Sequence, residues 1–148
     1  MSKKPVTPPE RTGWRDERIS RRHREWGFAL PAVDLDFPLL EYQFGKPIAL
    51  IEYKSYQART VNLNSASFRA MTILADNSAI PFYVVRYWAS TQQRSWVFRI
   101  APVNTYAMMF VDSIRMMSEL DFVTLLYTMR HQQLPDDIRR ILGTTSTI

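Results

Sequence analysis

The sequence predicts a single α/β domain with a central mixed sheet flanked by helices. Three observations lead there. A helical stretch precedes two strand-like runs joined by a tight turn, a helical period then separates that hairpin from two further β-rich runs, and the remainder is helical in pattern. The chain has 148 residues, of which 46% are hydrophobic and 13% aromatic, enough to bury one core.

Residues 1–12 carry Pro5, Pro8 and Pro9 among lysines and threonines and read as a flexible basic arm. A helix is expected from Trp14 to Trp26, stopped by Gly27. Asp16, Ile19, His23 and Trp26 fall on one of its faces, and Arg15, Arg18 and Arg22 on another. The hairpin spans Asp36–Tyr42 and Pro47–Lys54 around Gly45-Lys46-Pro47, and the polar run Ser55–Val61 reads as a loop. Leu63, Ala66, Ala70, Ile73 and Leu74 follow a helical period that ends at Asn77-Ser78. Ile80–Trp88 is rich in β-branched and aromatic residues and predicts a strand. Ser95–Ile100 predicts another, reached through the polar turn Thr91–Arg94.

From Thr105 onward the pattern is helical. Ser118-Glu119-Leu120-Asp121 resembles a capping box that opens a helix through about His131. Leu134-Pro135-Asp136-Asp137 opens the last one, with proline and acids in its first turn. Met108, Met109, Met116, Met117 and Met129 concentrate here, a stripe that more often packs a core than it meets a partner. The organisation is thus an arm over residues 1–12, a core over 13–104 and a helical extension of the same domain over 105–148.

The net charge is +5, and its placement matters more than its size. Residues 1–26 hold eight basic residues against four acidic ones, so most of the excess lies there. A cluster of this kind suits a phosphate backbone, although a solvated helix face gives the same pattern. Zero cysteines exclude disulfides and thiolate metal sites and fit a cytoplasmic setting. No apolar run is long enough to cross a bilayer, and no charged-then-apolar leader is recognisable, so no membrane partner is expected. His23 and His131 lack metal-ligand spacing, and neither a glycine-rich phosphate loop nor a local Ser-His-Asp signature is present.

The hairpin carries the chemistry. Side chains two apart on a strand share a face, so Glu52 and Lys54 lie side by side, and Asp36 can approach from the neighbouring strand. Two carboxylates suit a hard divalent cation, and an adjacent lysine can orient water or offset developing negative charge. This acid, gap, acid-x-lysine arrangement resembles the PD-(D/E)xK nuclease superfamily. The acid-arginine pattern at Glu17-Arg18 and the run Glu52-Tyr53-Lys54-Ser55 resemble its Holliday-junction-resolvase-like branch. Leu35 stands where the motif has proline, and Pro31 lies three residues before Asp34, so Asp34 competes with Asp36 for the motif position. No glutamine occurs in the helix after the motif, where some branches carry one; Ser67 and Arg69 stand there.

The resemblance spans roughly residues 13–100 and implies a restriction-endonuclease-like α-β-β-β-α-β core with added C-terminal helices. It implies a metal-dependent endodeoxyribonuclease in which Asp36, Glu52 and the main-chain carbonyl of Tyr53 hold Mg²⁺ or Mn²⁺, and Lys54 positions water. Glu17, or Asp16 in its place, would complete the metal site. Arg15, Arg18, Arg21 and Arg22, with Ser55, would hold the phosphates of duplex or branched DNA, and Lys3 and Lys4 would add a mobile contact. An enzyme that cuts paired strands would form a homodimer, with the C-terminal helices offering the surface. A small stand-alone nuclease of this type suits a phage, a mobile element or a repair system. Two rival classes use the same residues differently: a non-catalytic nucleic-acid-binding module of the same fold, and an assembly protein acting through its Met-rich C-terminal helices.

Overall fold

The computed structural model describes residues 17–26, 29, 37–41, 45–58, 62–89 and 96–144. The chain divides into two compact units, Met1–Val33 and Asp34–Ile148. The first contains helix α1 (Glu17–Glu25); residues 14–16 of the expected helix lie outside the described residues, and Trp26 follows its last turn. It carries an exposed Arg22–Glu25 ion pair at 3.0 Å, and His23 meets Trp26 with ring centroids 5.2 Å apart.

The second unit is built on five strands: β1 (Phe37–Glu41), β2 (Lys46–Ser55), β3 (Phe82–Ala89), β4 (Trp96–Pro102) and β5 (Arg115–Ser118). They lie in the order β1-β2-β3-β4-β5. β2 and β3 are parallel, and every other neighbouring pair is antiparallel, so the sheet is mixed as expected. A parallel pair needs a crossover, and helix α2 (Ala66–Asn77) supplies it. Helices α3 (Thr105–Met108), α4 (Glu119–Met129) and α5 (Asp136–Thr144) follow β4. Two strands precede α2 among the described residues, where the resemblance implies three.

Local signals explain most boundaries. Gly45 turns the hairpin with φ +63, the left-handed region in which a side chain is strained. The β1–β2 register slips between Leu39 and Leu40, so that Leu40 faces Pro47, a residue with no amide hydrogen to give to the ladder. Ser65 caps α2 by accepting from the Phe68 amide at 3.2 Å. At the other end the amides of Ala79 and Ile80 donate to the carbonyls of Asp76 and Ala75, both at 3.0 Å. That closes a Schellman motif with Ala79 at φ 55, where glycine is usual. Ser118 caps α4 by accepting from the Asp121 amide at 3.2 Å, as the capping-box pattern predicts.

The helical reading of the stretch after Thr105 needs one correction. Arg115–Ser118 is a strand, pairing antiparallel with β4 from Ile100 to Val97. Four residues carry too little pattern to declare a strand, and the pairing comes from β4. The methionines divide accordingly. Met129 is buried and Met117 packs on the core from β5, whereas Met108, Met109 and Met116 are exposed.

Alternation along the strands builds two cores. Ala49, Ile51, Tyr83, Val85, Phe98 and Ile100 face α3 and α4, where Phe98 stacks on Phe122 at 4.3 Å. Leu50 and Phe82 face α2 and pack on Phe68, Met71 and Ala75. Asn104 ties the two sides together. Its Oδ1 accepts from the amides of Phe82 at 3.1 Å and Ala107 at 2.9 Å. Its Nδ2 donates to Asp76 at 3.0 Å and to the Ile80 carbonyl at 2.9 Å. Tyr83 donates its hydroxyl to the Ala107 carbonyl at 3.0 Å, and burial pushes that phenol above the usual tyrosine range, so it remains a donor.

Asn104→Ala is expected to lower stability by about 3 kcal/mol, because it strands two amides and a carbonyl away from water. Ala79→Gly is expected to raise it by about 1 kcal/mol by relieving the left-handed backbone. Denaturant unfolding of the two variants and the parent checks both signs; a loss of stability in Ala79→Gly would mean that the alanine methyl is worth more than the strain.

Candidate functional site

β2 positions the motif residues. Leu50, Glu52 and Lys54 alternate onto the face that α2 covers, where Leu50 shares a core with Phe68, Met71 and Ala75 of that helix. Glu52 is 9% exposed, and Lys54 reaches it at 2.9 Å. The intervening Tyr53 projects to the opposite face, where it meets Phe122 edge-on at 6.3 Å. Its backbone is in register with Val85 of β3. Ser55 ends the strand: its hydroxyl accepts from the Gln57 amide at 3.3 Å and its carbonyl accepts from Ala58 at 2.9 Å, so it begins the loop.

Register carries the site across the sheet. Lys54 is level with Arg86 on β3, Arg86 with Arg99 on β4, and Arg99 with Met116 on β5. Neighbouring strands lie about 4.8 Å apart, so three cations form one row on one face. Arg86 donates to the Ala58 carbonyl at 3.1 Å, which anchors the loop after β2. One step further along, Tyr56 continues the parallel ladder by donating its amide to the Tyr87 carbonyl at 3.0 Å, and its ring stacks with Trp88 at 6.1 Å and 16°. The face therefore presents a carboxylate–lysine pair, two arginines and an aromatic pair in sequence. Chemically it can hold a phosphate and stack a base.

The predicted residues fall into three groups. Glu52, Lys54, Tyr53 and Ser55 share β2, and the first two share a face. Glu17, Arg18, Arg21 and Arg22 share α1, which belongs to the other unit; Arg18, Arg21 and Arg22 are exposed there, and the Glu17 side chain lies outside the described residues. Asp34, Asp36, Arg15, Asp16, Lys3 and Lys4 also lie outside the described residues. The last described β1–β2 pair is Phe37 with Ile51, the chain neighbours of Asp36 and Glu52. Among the described residues no three His, Asp or Glu side chains converge, and no helix is long and apolar enough to cross a membrane.

Arg86, Arg99, Tyr56 and Trp88 join the site without having been singled out by any sequence motif. Alternation in Val84-Val85-Arg86-Tyr87-Trp88 separates Arg86 and Trp88 from Val85, but their neighbours on β2 and β4 follow only from the register. No family model matches this chain, and no curated protein or solved structure was found to be similar to it.

Like charges directly opposite one another across strands are destabilising, so Arg99→Met is expected to stabilise the fold by about 0.5 kcal/mol in low salt. The gain should shrink as salt screens the repulsion. Thermal unfolding at two ionic strengths measures it, and a salt-independent loss of stability would instead assign Arg99 a packing role.

Proposed function

We propose that this chain is a metal-dependent nuclease that hydrolyses phosphodiester bonds in DNA, with β2 as its catalytic strand. The observation that carries this reading is the Glu52–Lys54 ion pair on the sheet face that also bears Arg86 and Arg99. It sets a buried carboxylate and an ammonium beside two guanidiniums, which suits a scissile phosphate better than it suits a neutral substrate.

Each residue has a task in this reading. Glu52 is the first carboxylate ligand of a hard cation, and Asp36 is the second. That pairing requires the β1–β2 register to run one residue past Phe37 and Ile51. Tyr53 offers a main-chain oxygen. When bound, Mg²⁺ or Mn²⁺ supplies Lewis-acid polarisation of the phosphoryl oxygen and acidifies water. Lys54, held against Glu52, orients the attacking water or offsets charge on a non-bridging oxygen. Arg86 and Arg99 neutralise the phosphoryl charge as it develops. The mixed sheet with a helical crossover supports a restriction-endonuclease-like core, of which two strands before α2 are among the described residues.

A non-catalytic nucleic-acid-binding module is the second reading. It is favoured by one feature: the cationic row and the Tyr56–Trp88 stack serve binding without any second carboxylate. Incubation with duplex, branched and single-stranded DNA in Mg²⁺ or Mn²⁺ separates the two, since binding without cleavage on all three overturns the nuclease.

Asp36→Ala and Glu52→Ala are expected to abolish metal-dependent cleavage, with Asp34→Ala as the control for the motif aspartate. Lys54→Ala should slow turnover roughly 10²–10⁴-fold with little effect on metal affinity. Activity abolished in Asp34→Ala but kept in Asp36→Ala would move the motif to Asp34.

Neutralising Arg15, Arg18 and Arg22 together is expected to weaken DNA binding alike across sequences. The slope of log K against log[salt] should flatten by about one unit for each phosphate that is no longer neutralised. An unchanged slope would make the α1 charge a feature of a solvated helix.

A further inference from the structure

A cavity of about 660 Å³ is lined from α2, β3 and β4, and Arg69, Arg86 and Arg99 all contribute to its wall. Ile73, Val84 and Ile114 make part of the rest. The volume falls within the ordinary range for small-molecule sites, and a mostly apolar wall with a few converging polar groups is the usual composition of one. Its charge is what needs an explanation. Arg69 from α2 and Arg99 from β4 put two cations into this wall, and Arg86, which holds the Ala58 carbonyl, is level with Arg99 on β3. Arg69 and Arg99 make no ion pair among the described residues.

A ligand that offsets this charge should carry more than one negative charge on a compact group that guanidinium forks can grip. A phosphomonoester carries about −1.5 to −2 near neutral pH, and guanidinium matches phosphate geometry in two-point contacts. The internal phosphodiester of a strand carries a single charge. Apolar walls beside the arginines suit a sugar and base better than a bare ion. We propose that this cavity binds the terminal phosphomonoester of a nucleotide, either the phosphorylated end of a nucleic-acid strand or a free nucleotide. The choice of a nucleotide rests on the nuclease reading, because Arg86 belongs both to this wall and to the row that starts at Lys54. The site would then work close to a strand end.

The test is binding in EDTA, which removes cleavage from the readout. A short single-stranded oligonucleotide with an internal fluorophore is prepared with a 5′-phosphate, with a 3′-phosphate or with hydroxyls at both ends. One phosphorylated form is expected to bind tighter than the hydroxyl form by about tenfold, the scale of a hydrogen bond to a charged group. Arg69→Gln and Arg99→Gln should each shrink that preference by more than they weaken the hydroxyl form. Arg69 is exposed on α2, so Arg69→Gln keeps the test usable if changes within the sheet impair folding. Displacement by a nucleoside monophosphate but not by the nucleoside assigns the cavity to free nucleotide. A preference that only strands show assigns it to strand ends.

Equal affinity for all three ends, with no displacement by the nucleoside monophosphate, overturns the proposal. Competition by inorganic phosphate as strong as that by the nucleotide overturns it as well, since the apolar wall would then have no role. The two readings fail separately. An end preference in a chain that cleaves nothing with Mn²⁺ keeps the cavity and removes the nuclease, and cleavage without end preference does the reverse.

Discussion

The parallel pairing of β2 with β3 is the constraint on which the rest of this sheet depends. It aligns Leu50 through Ser55 with Phe82 through Tyr87, strand beside strand and running the same way. Parallel strands cannot be joined by a hairpin, so the chain must leave β2, build α2 and return. The same register brings Lys54 level with Arg86, and hence level with Arg99 on the next strand. A slip of one residue would turn Glu52 and Lys54 onto the α4 face and bury charge among aromatic rings.

Several hydrogen bonds hold that register from the far side of α2. Asn104 uses both lone pairs and both amide hydrogens on four partners, drawn from the end of α2, the start of β3 and the first turn of α3. Leu50 donates its amide to the Pro81 carbonyl, so the parallel ladder begins one residue before β3 proper. A fully satisfied buried amide fixes one arrangement, because each competing arrangement would leave some of these groups without a partner. The Schellman end of α2 contributes in the same place, turning the chain at Ala79 despite the left-handed backbone it imposes.

The two faces of the sheet are used differently. Toward α4 it is dry and aromatic, with Tyr53, Phe98 and Phe122 in contact and Tyr83 bonded to Ala107. Toward α2 the packed cluster holds Leu50 and Phe82 with Val84 and Val103 against it, and the same face carries the charged row and the cavity. Arg86 and Arg99 lie directly opposite one another there, and Arg86 also holds the Ala58 carbonyl at 3.1 Å. β5 adds a fifth strand whose Met117 joins the core while Met116 stays exposed, so one pair of adjacent methionines serves both faces.

The sequence by itself determined what depends on near neighbours. The caps at Ser118 and the stop at Asn77-Ser78 are local hydrogen-bond chemistry and are recognisable as such. Placing Glu52 and Lys54 on one face needs only the two-residue period of a strand. Tertiary structure alone decided the rest. β5 is a strand because β4 offers it hydrogen bonds, not because Arg-Met-Met-Ser prefers extension. Arg86 and Arg99 are thirteen positions apart in the sequence and opposite one another in the sheet, and no window of local pattern contains their register. Whether a methionine is core or surface depended in the same way on which strand arrived beside it, because burial is a property of the partner as much as of the residue.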